Sequence, residues 1–154
     1  MIAVLQRVSS ASCEVDGIIT GSCQRGLMIL CGVAAGDTVA DAEALALKIS
    51  KLRIFEDDAG KMNLSVADVG GGALVVSNFT LLADYRHGNR PSFTGAAAPD
   101  EAKRLYLHFS AQLAACGIPV ENGIFGADMR ITLCNDGPVT LTLDSKVLLG
   151  KAGS

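Results

Sequence analysis

The sequence predicts a single α+β domain in which a mixed or largely antiparallel β-sheet, or a partly closed barrel, packs against two helices. A chain of 154 residues has the length of one domain. Short apolar or alternating segments are typical of strands, and two longer segments keep helical spacing. Apolar residues make up 49% of the chain and charged residues 19%. This composition excludes intrinsic disorder and favours burial of apolar surface against a second copy.

The N-terminal third of the chain has the pattern of strands. Residues Met1–Ser9 are expected to form a first strand, because successive side chains of a strand point to opposite faces. One face would carry Ile2, Val4, Gln6 and Val8, and the other Ala3, Leu5 and Arg7. An Asp16-Gly17 pair between two short β-prone runs predicts a two-residue hairpin, because both turn positions need positive φ. Residues Gly26–Val33 are continuously apolar, which predicts a strand covered on both faces.

Two helices are delimited by their end signals. Thr38, followed by Asp41 after three residues, resembles a capping box at the start of the first helix. Pro99 lies near the first position of the second helix and Gly117 ends it. The residues that keep helical spacing, and so face inward, are Val39, Ala42, Leu45, Ala46, Ile49 and Leu52 in the first helix and Leu105, Phe109 and Leu113 in the second.

The remaining apolar runs complete the sheet. Ala73–Val76 follows three glycines and predicts a buried strand, and Met129–Cys134 and Val139–Leu143 predict two more, separated by Asn135–Pro138. We expect one domain over residues 1–145. Residues 146–154 are expected to form a loosely ordered C-terminal tail.

Charge and cysteine content exclude several classes of function. A net charge of −3 argues against a protein that binds nucleic acid through a broad basic face. The longest apolar stretches are far shorter than the roughly 20 residues that a membrane span requires. Five unpaired-looking cysteines and an N-terminus without a signal-peptide pattern predict a reducing, cytoplasmic location. With only two histidines, no zinc site, other metal site or cofactor is expected.

Two polar segments are candidate sites. Ser77 and Thr80 could be nucleophiles, yet neither lies in a Gly-x-Ser-x-Gly elbow and His87 and His108 are the only histidines. From spacing alone, a structural role is the favoured interpretation of this strand end. The other segment contains Gly137, which precedes a proline between two predicted strands, where a turn is expected and a cis peptide bond is affordable.

Several motifs in the same order resemble the D-aminoacyl-tRNA deacylase family, from Met1 to about Ser145. The family's Ser-Gln-x-x-Leu motif occurs as Ser77–Leu81, with Asn78 in place of the usual glutamine, and its Gly-Pro motif occurs as Gly137-Pro138. The other matching stretches are Leu5–Val8, Leu52–Glu56, Gly60–Ser65, Arg90–Phe93, Phe125–Met129 and Asn135–Thr140.

The resemblance implies the deacylase fold, a homodimer and hydrolysis of the ester that joins a D-amino acid to the terminal ribose of tRNA. It implies that Gly137-Pro138 is cis and enters the active site of the partner subunit. Its carbonyl groups would form a wall that an L side chain strikes, whereas a D side chain points to solvent and glycine passes. The implied partner is the 3′ end of aminoacyl-tRNA, without DNA or membrane.

The resemblance also assigns catalytic positions to Ser77, Asn78, Phe79 and Thr80. Backbone N–H groups at Phe79 and Thr80 are candidates to hold the carbonyl oxygen of the ester. Phe79 is also placed to pack near the terminal adenine. Thr80 is either a nucleophile or a scaffold, and we favour the scaffold because no base is available and the ribose 2′-OH can help to activate water. The shorter Asn78 side chain puts the fine geometry of the site in question, and with it the level of activity.

We also expect a modest basic patch that binds the acceptor end of tRNA. Its candidate residues are Arg7, Lys48, Lys51, Arg53, Arg86, Arg90 and Met129. The alternative is that these residues are ordinary surface charges. Two further functions stay open. One is a non-catalytic binding module of the same fold, for which Asn78 is the sequence hint. The other is an enzyme specific for another mischarged tRNA, such as one carrying glycine or L-alanine.

Overall fold

The structure is a computed structural model that describes residues 1–151. Its strands are β1 (Ile2–Val15), β2 (Ile18–Cys23), β3 (Gly26–Gly32), β4 (Phe55–Glu56), β5 (Met62–Leu64), β6 (Gly72–Ser77), β7 (Val120–Asn122) and β8 (Arg130–Asp144). Its helices are α1 (Val39–Lys51), α2 (Pro99–Ala115) and α3 (Ser145–Leu148), with a 3₁₀ turn over Phe79–Leu82.

A mixed sheet organises the domain, as the sequence predicts. Its strand order is β2-β1-β3-β6-β7, and β8 pairs with the other edge of β1. Strand β1 is antiparallel to β2, β3 and β8, whereas β3, β6 and β7 run parallel to one another. Strand β3 is almost entirely buried, as its continuous apolar sequence predicts. Strands β4 and β5 form a separate small hairpin.

The two ends of the sheet path approach each other, which confirms the prediction of a partly closed sheet. The backbone N–H of Ser22 in β2 donates to Glu121 Oε1 in β7, at 3.2 Å. Gly21 makes this approach possible, because a Cβ at that position would lie 2.5 Å from the carbonyl oxygen of Asn122. The hairpin turn before β2 has positive φ at both Asp16 (50°) and Gly17 (79°), as predicted.

Helices α1 and α2 cover the sheet and bury the predicted faces. The carboxylate of Asp41 accepts from the backbone N–H of Thr38 at 2.8 Å, so the first helix begins with the predicted box. Pro99 is the first residue of α2, and Gly117 follows its end with a φ of 88°. Their inward side chains join the main core cluster with Leu5, Leu27, Ile29, Phe55, Val75 and Tyr106.

The last two predicted strands form one continuous strand, and β1 likewise runs unbroken to Val15. The reason is the pairing of these two strands along almost their whole length. Gln6 pairs with Thr140 and Val8 pairs with Asn135, so the residues between 135 and 140 bulge outward opposite Arg7. The predicted turn is therefore a bulge within β8.

The sequence predicts two helices, whereas the structure has a third, α3. Ser145 is fully buried, and its hydroxyl donates to Asp41 Oδ1 at 2.7 Å and accepts from the Met1 ammonium at 2.6 Å. Asp144 caps the new helix by accepting from the backbone N–H of Lys146. Residues 145–148 are therefore anchored to the core, in contrast to the loosely ordered tail expected from residue 146. Residues 152–154 of that tail lie outside the described part of the chain.

Among residues 1–151, no helix is long and apolar enough to cross a membrane. The same residues contain no group of three or more His, Cys, Asp or Glu side chains that could hold a metal ion. The five cysteines are free thiols.

The close parallel approach of β3 and β6 predicts that Gly26→Ala destabilises the fold. The new Cβ would overlap the carbonyl oxygen of Gly72 in the neighbouring strand, and backbone atoms cannot yield as a flexible side chain does. We expect the free energy of unfolding to fall by at least about 3 kcal/mol.

Chemical denaturation with a circular dichroism readout measures this change. Gly95→Ala is the matched control, since its Cβ would meet nothing closer than 3.8 Å and should change stability by less than about 0.5 kcal/mol. Equal stability of the two variants would contradict the packing described for β3 and β6.

Candidate functional site

The candidate site begins where β3 and β6 end together. In the parallel register Ser77 lies beside Cys31, and the chain leaves the sheet at the next residue. The backbone N–H of Asn78 donates to the carbonyl oxygen of Cys31 at 2.8 Å. The chain then enters the 3₁₀ turn of Phe79–Leu82. The predicted catalytic segment is therefore held at one end by the buried strand pair.

Asn78 caps this turn with its own side chain. Its Oδ1 accepts a hydrogen bond from the backbone N–H of Thr80 at 3.3 Å and another from the Thr80 hydroxyl. Both Thr80 donors are thus engaged within the turn. The N–H of Phe79 is the first of the turn and has no acceptor inside it. Nor does any hydrogen bond described for residues 1–151 give it another backbone acceptor, so this N–H is unpaired within the described part of the chain.

An apolar cavity of about 720 Å³ opens beside the turn. This volume lies in the range of roughly 300–1,000 Å³ that is typical of small-molecule sites. Its polar lining includes Ser77, Asn78 and Asp128. Apolar lining residues come from β3 and β6 (Leu30, Cys31, Val76), the residue after β3 (Val33), the loop before α2 (Phe93, Ala96, Ala97), and the start of β8 with the segment before it (Phe125, Met129, Ile131).

Two aromatic rings stand together in the cavity lining. Phe79 is 59% exposed, and its ring packs edge-to-face on Phe93 with the centroids 5.1 Å apart. Both residues line the cavity. An exposed aromatic surface of this kind suits a nucleobase or another flat ligand.

Two titratable groups in the lining are held neutral. Burial raises the pKa of the Cys31 thiol to about 12, so a thiolate nucleophile is not available there at neutral pH. Burial also raises the pKa of Tyr106, whose hydroxyl donates to the carbonyl oxygen of Val75 at 2.9 Å. Asn122 donates to the same hydroxyl at 3.0 Å. Both groups therefore support the cavity wall and do not serve as bases.

The two histidines lie away from the cavity lining. His108 Nε2 is 3.1 Å from Glu43 Oε1, in a contact between α2 and α1. His87 belongs to the exposed loop that follows the 3₁₀ turn. Neither residue lines the cavity, so within residues 1–151 no serine or threonine of the site is paired with a histidine base.

Gly137 and Pro138 lie on the exposed bulge of β8 and are joined by a cis peptide bond. They do not line the cavity of their own chain. Arg7 holds the bulge from the buried side. Its Nε donates to the carbonyl oxygen of Asp136 at 3.0 Å, and its Nη1 donates to that of Ile54 at 2.8 Å. The Asn135 amide donates to the carbonyl oxygens of Arg7 and Val139. The segment is thus fixed on both sides.

This geometry changes the interpretation of Arg7. The residue is 6% exposed, and its guanidinium donates to carbonyl oxygens of its own chain. Arg7 therefore positions the Gly137-Pro138 bulge, whereas the sequence predicts that it contacts tRNA. The other predicted cations are exposed: Lys48 and Lys51 at the end of α1, Arg53 just after it, and Arg86 and Arg90 in the loop before Phe93. Met129 is half-buried and lines the cavity.

Four further residues line the cavity although no role was predicted for them: Phe93, Tyr106, Phe125 and Asp128. Three of them fall within the family-like stretches Arg90–Phe93 and Phe125–Met129, which is the available signal. Tyr106 has only a helical position and carries no such signal.

Comparisons with known proteins cover nearly the whole chain. A family model described as D-Tyr-tRNA(Tyr) deacylase matches residues 4–144. The chain is 59% identical to a D-aminoacyl-tRNA deacylase of Deinococcus radiodurans over 144 residues, which is 94% of this chain and 99% of that protein. It is 57% identical to one of Thermomicrobium roseum over 150 residues, or 97% of each chain.

Two solved structures share the fold. One is described as a c-Myc DNA unwinding element binding protein, with a TM-score of 0.87, 38% identity and coverage of 94% of this chain and 98% of that one. The other is described as a probable eukaryotic D-amino acid tRNA deacylase, with a TM-score of 0.75 and 18% identity over 93% of this chain and 98% of that one. At 18% identity the second shows the fold alone.

Proposed function

This chain belongs to the D-Tyr-tRNA(Tyr) deacylase family and is a hydrolase, and from that premise we propose that its cavity binds the acylated 3′ end of D-aminoacyl-tRNA. The enzyme then cleaves the ester to free D-amino acid and tRNA, acting on cytoplasmic aminoacyl-tRNA. The observation that carries the proposal is the available Phe79 N–H on a capped turn beside an apolar cavity of about 720 Å³.

The cavity suits the terminal nucleotide of such a substrate. Its apolar walls and the Phe79–Phe93 pair offer flat surface to a base, with Met129 among the contacts. Ser77 and Asn78 supply polar groups near the ester. The exposed Lys51, Arg53, Arg86 and Arg90 are available to a few phosphates, which is sufficient for a ligand held mainly by its end.

Positioning and oxyanion stabilisation carry the proposed reaction. Water, oriented by the ribose 2′-OH, adds to the ester carbonyl carbon and loses a proton. The Phe79 N–H donates to the oxyanion of the tetrahedral intermediate. The bond to the ribose oxygen then breaks, and that oxygen takes up a proton. Thr80 is a scaffold in this scheme, because both of its donors hold the Asn78 side chain.

Asn78 fits this scaffold although relatives of this family usually carry glutamine at the position. Its short side chain closes a turn onto the N–H two residues later, a geometry that asparagine side chains favour. The substitution therefore retains a cap on the turn and leaves the Phe79 N–H free.

Selection between D and L substrates is proposed to come from a homodimer. Gly137-Pro138 is exposed, does not line its own cavity and is held by Arg7 on the buried side, and these observations support a role in a partner's cavity. Main-chain atoms of Gly137-Pro138 would face the α-carbon and reject an L side chain, whereas D and glycyl esters pass. The dimer would also cover part of the apolar surplus of the chain.

Hydrolysis of three esters tests the activity and its selectivity. We expect the purified protein to release amino acid from D-tyrosyl-tRNA and glycyl-tRNA, and to act on L-tyrosyl-tRNA at least about 100-fold more slowly, because the L side chain displaces the ester from the oxyanion donor. Spontaneous hydrolysis of each ester is the control. Failure to release any amino acid would favour the binding module, and equal cleavage of the L ester would contradict the gate.

Variants of the turn test which group stabilises the oxyanion. Phe79→Pro removes the N–H, and proline suits the first position of the turn after the extended Asn78. We expect kcat to fall about 10²–10³-fold further than in Phe79→Ala, which loses the ring and keeps the N–H. Thr80→Ala should stay within about tenfold of the wild type.

The readout is single-turnover hydrolysis of D-tyrosyl-tRNA, with thermal unfolding as a check on the fold of each variant. If Thr80→Ala loses activity by several orders of magnitude while remaining folded, Thr80 is a nucleophile and the scaffold scheme is wrong.

Mixed dimers test whether Gly137 acts across the subunit interface. In Gly137→Ala the new Cβ would lie 2.9 Å from Val139 Cγ2 at a φ of 137°, which displaces the bulge, so we expect at least about a tenfold loss in kcat/KM. A refolded mixture of Gly137→Ala and Phe79→Pro chains should regain about a quarter of wild-type activity, because each mixed dimer holds one intact site.

Native mass spectrometry of the mixture confirms that mixed dimers form. Fully active monomers, or mixed dimers without regained activity, would contradict a gate supplied by the partner.

A further inference from the structure

A tyrosine is displayed on the loop that joins the 3₁₀ turn to α2. Tyr85 is 79% exposed, which is more than any other large apolar side chain among residues 1–151. The ring is therefore held almost entirely in water. No part of the reaction proposed above uses it.

The loop that carries Tyr85 is closed at its base. Asp84 and Ser92 exchange backbone hydrogen bonds of 2.7 and 2.8 Å, and Gly88 makes the turn between them with a φ of 68°. Arg86 binds the Asp84 carboxylate through Nε at 2.9 Å and Nη2 at 2.6 Å. These hydrogen bonds lower the pKa of Asp84 to about 2. Tyr85 is thus presented on an ordered turn whose one carboxylate is neutralised.

Both ends of this loop lie next to residues of the cavity lining. On one side, the Ala83 N–H donates to the carbonyl oxygen of Thr80, so the 3₁₀ turn runs directly into Asp84. On the other side, Ser92 precedes Phe93, whose ring packs on Phe79 in the cavity lining. Tyr85 therefore lies one residue beyond the Asp84–Ser92 bridge, in a part of the loop that does not line the cavity.

The loop that carries the ring has a positive formal charge. Between residues 84 and 92 the chain holds Arg86, Arg90 and the single carboxylate of Asp84, which leaves a formal charge of +1 from two cations and one anion. An exposed ring among cations is the combination by which proteins bind single-stranded nucleic acid. A protein interface has an apolar core, whereas the other exposed large apolar side chains among residues 1–151 lie outside this loop.

We propose that Tyr85 is a stacking platform for a base of the single-stranded 3′ end of tRNA, upstream of the terminal adenosine, with Arg90 as the cation for an adjoining phosphate. The inference rests on the proposed function, because it extends the same substrate from the cavity onto the loop. Its consequence is that the enzyme recognises more of its substrate than the acylated nucleotide alone.

Substrates of increasing length test the platform. D-tyrosyl-adenosine reaches only the cavity, whereas a D-tyrosyl ester of the trinucleotide CCA and D-tyrosyl-tRNA also reach the loop. In Tyr85→Ala we expect KM to rise about tenfold for the two longer substrates and to stay unchanged for D-tyrosyl-adenosine. Tyr85→Phe should restore the wild-type KM, because the ring is sufficient for stacking. Val147→Ala, at another exposed apolar residue (64%), is the control for loss of surface area.

Binding of uncharged tRNA gives a readout that does not depend on catalysis. We expect Tyr85→Ala to weaken the binding of tRNA about tenfold by fluorescence anisotropy and to leave the weaker binding of tRNA without its CCA end unchanged. An unchanged Kd in Tyr85→Ala would overturn the platform, as would an equal rise in KM for D-tyrosyl-adenosine. Inactivity of the wild type on every ester, with binding of tRNA retained, would refute the proposed function and not the platform.

Discussion

The parallel pairing of β3 and β6 is the constraint on which the site depends. Both strands are buried, and their register places Ser77 beside Cys31 at the edge of the sheet. The hydrogen bond from Asn78 to Cys31 then fixes where the chain leaves the sheet. Gly32 lets the 3₁₀ turn pack onto β3, because a Cβ there would lie 2.6 Å from Leu82 Cδ2. The available N–H of Phe79 is a consequence of this sequence of contacts.

The pairing of β1 with β8 positions the exposed bulge that carries Gly137 and Pro138. Arg7 is a buried residue of β1 opposite the bulge of β8, and it holds an exposed segment of that strand. Burial of a guanidinium is costly unless it is hydrogen-bonded, and here two carbonyl oxygens accept from its Nε and Nη1. The bulge is therefore a rigid projection from the sheet.

Local patterns predicted most of the elements, because alternation, the Asp16-Gly17 turn and the end signals of α1 and α2 depend on neighbours in sequence. What they could not predict depends on distant residues. Helix α3 exists because Ser145 meets Asp41 and Met1, and the unbroken β8 exists because β1 runs beside it. The positions of Phe79 and Gly137 followed from motifs, whereas the buried role of Arg7 required its three-dimensional neighbours. Charge alone had suggested a surface contact.

A turn held by Asn78 that offers a main-chain N–H has an evolutionary consequence. Main-chain atoms are present whatever the side chain, so a site built from them survives many amino-acid replacements that would inactivate a serine–histidine enzyme. Alanine scanning would record few inactive positions across such a site and so understate its importance.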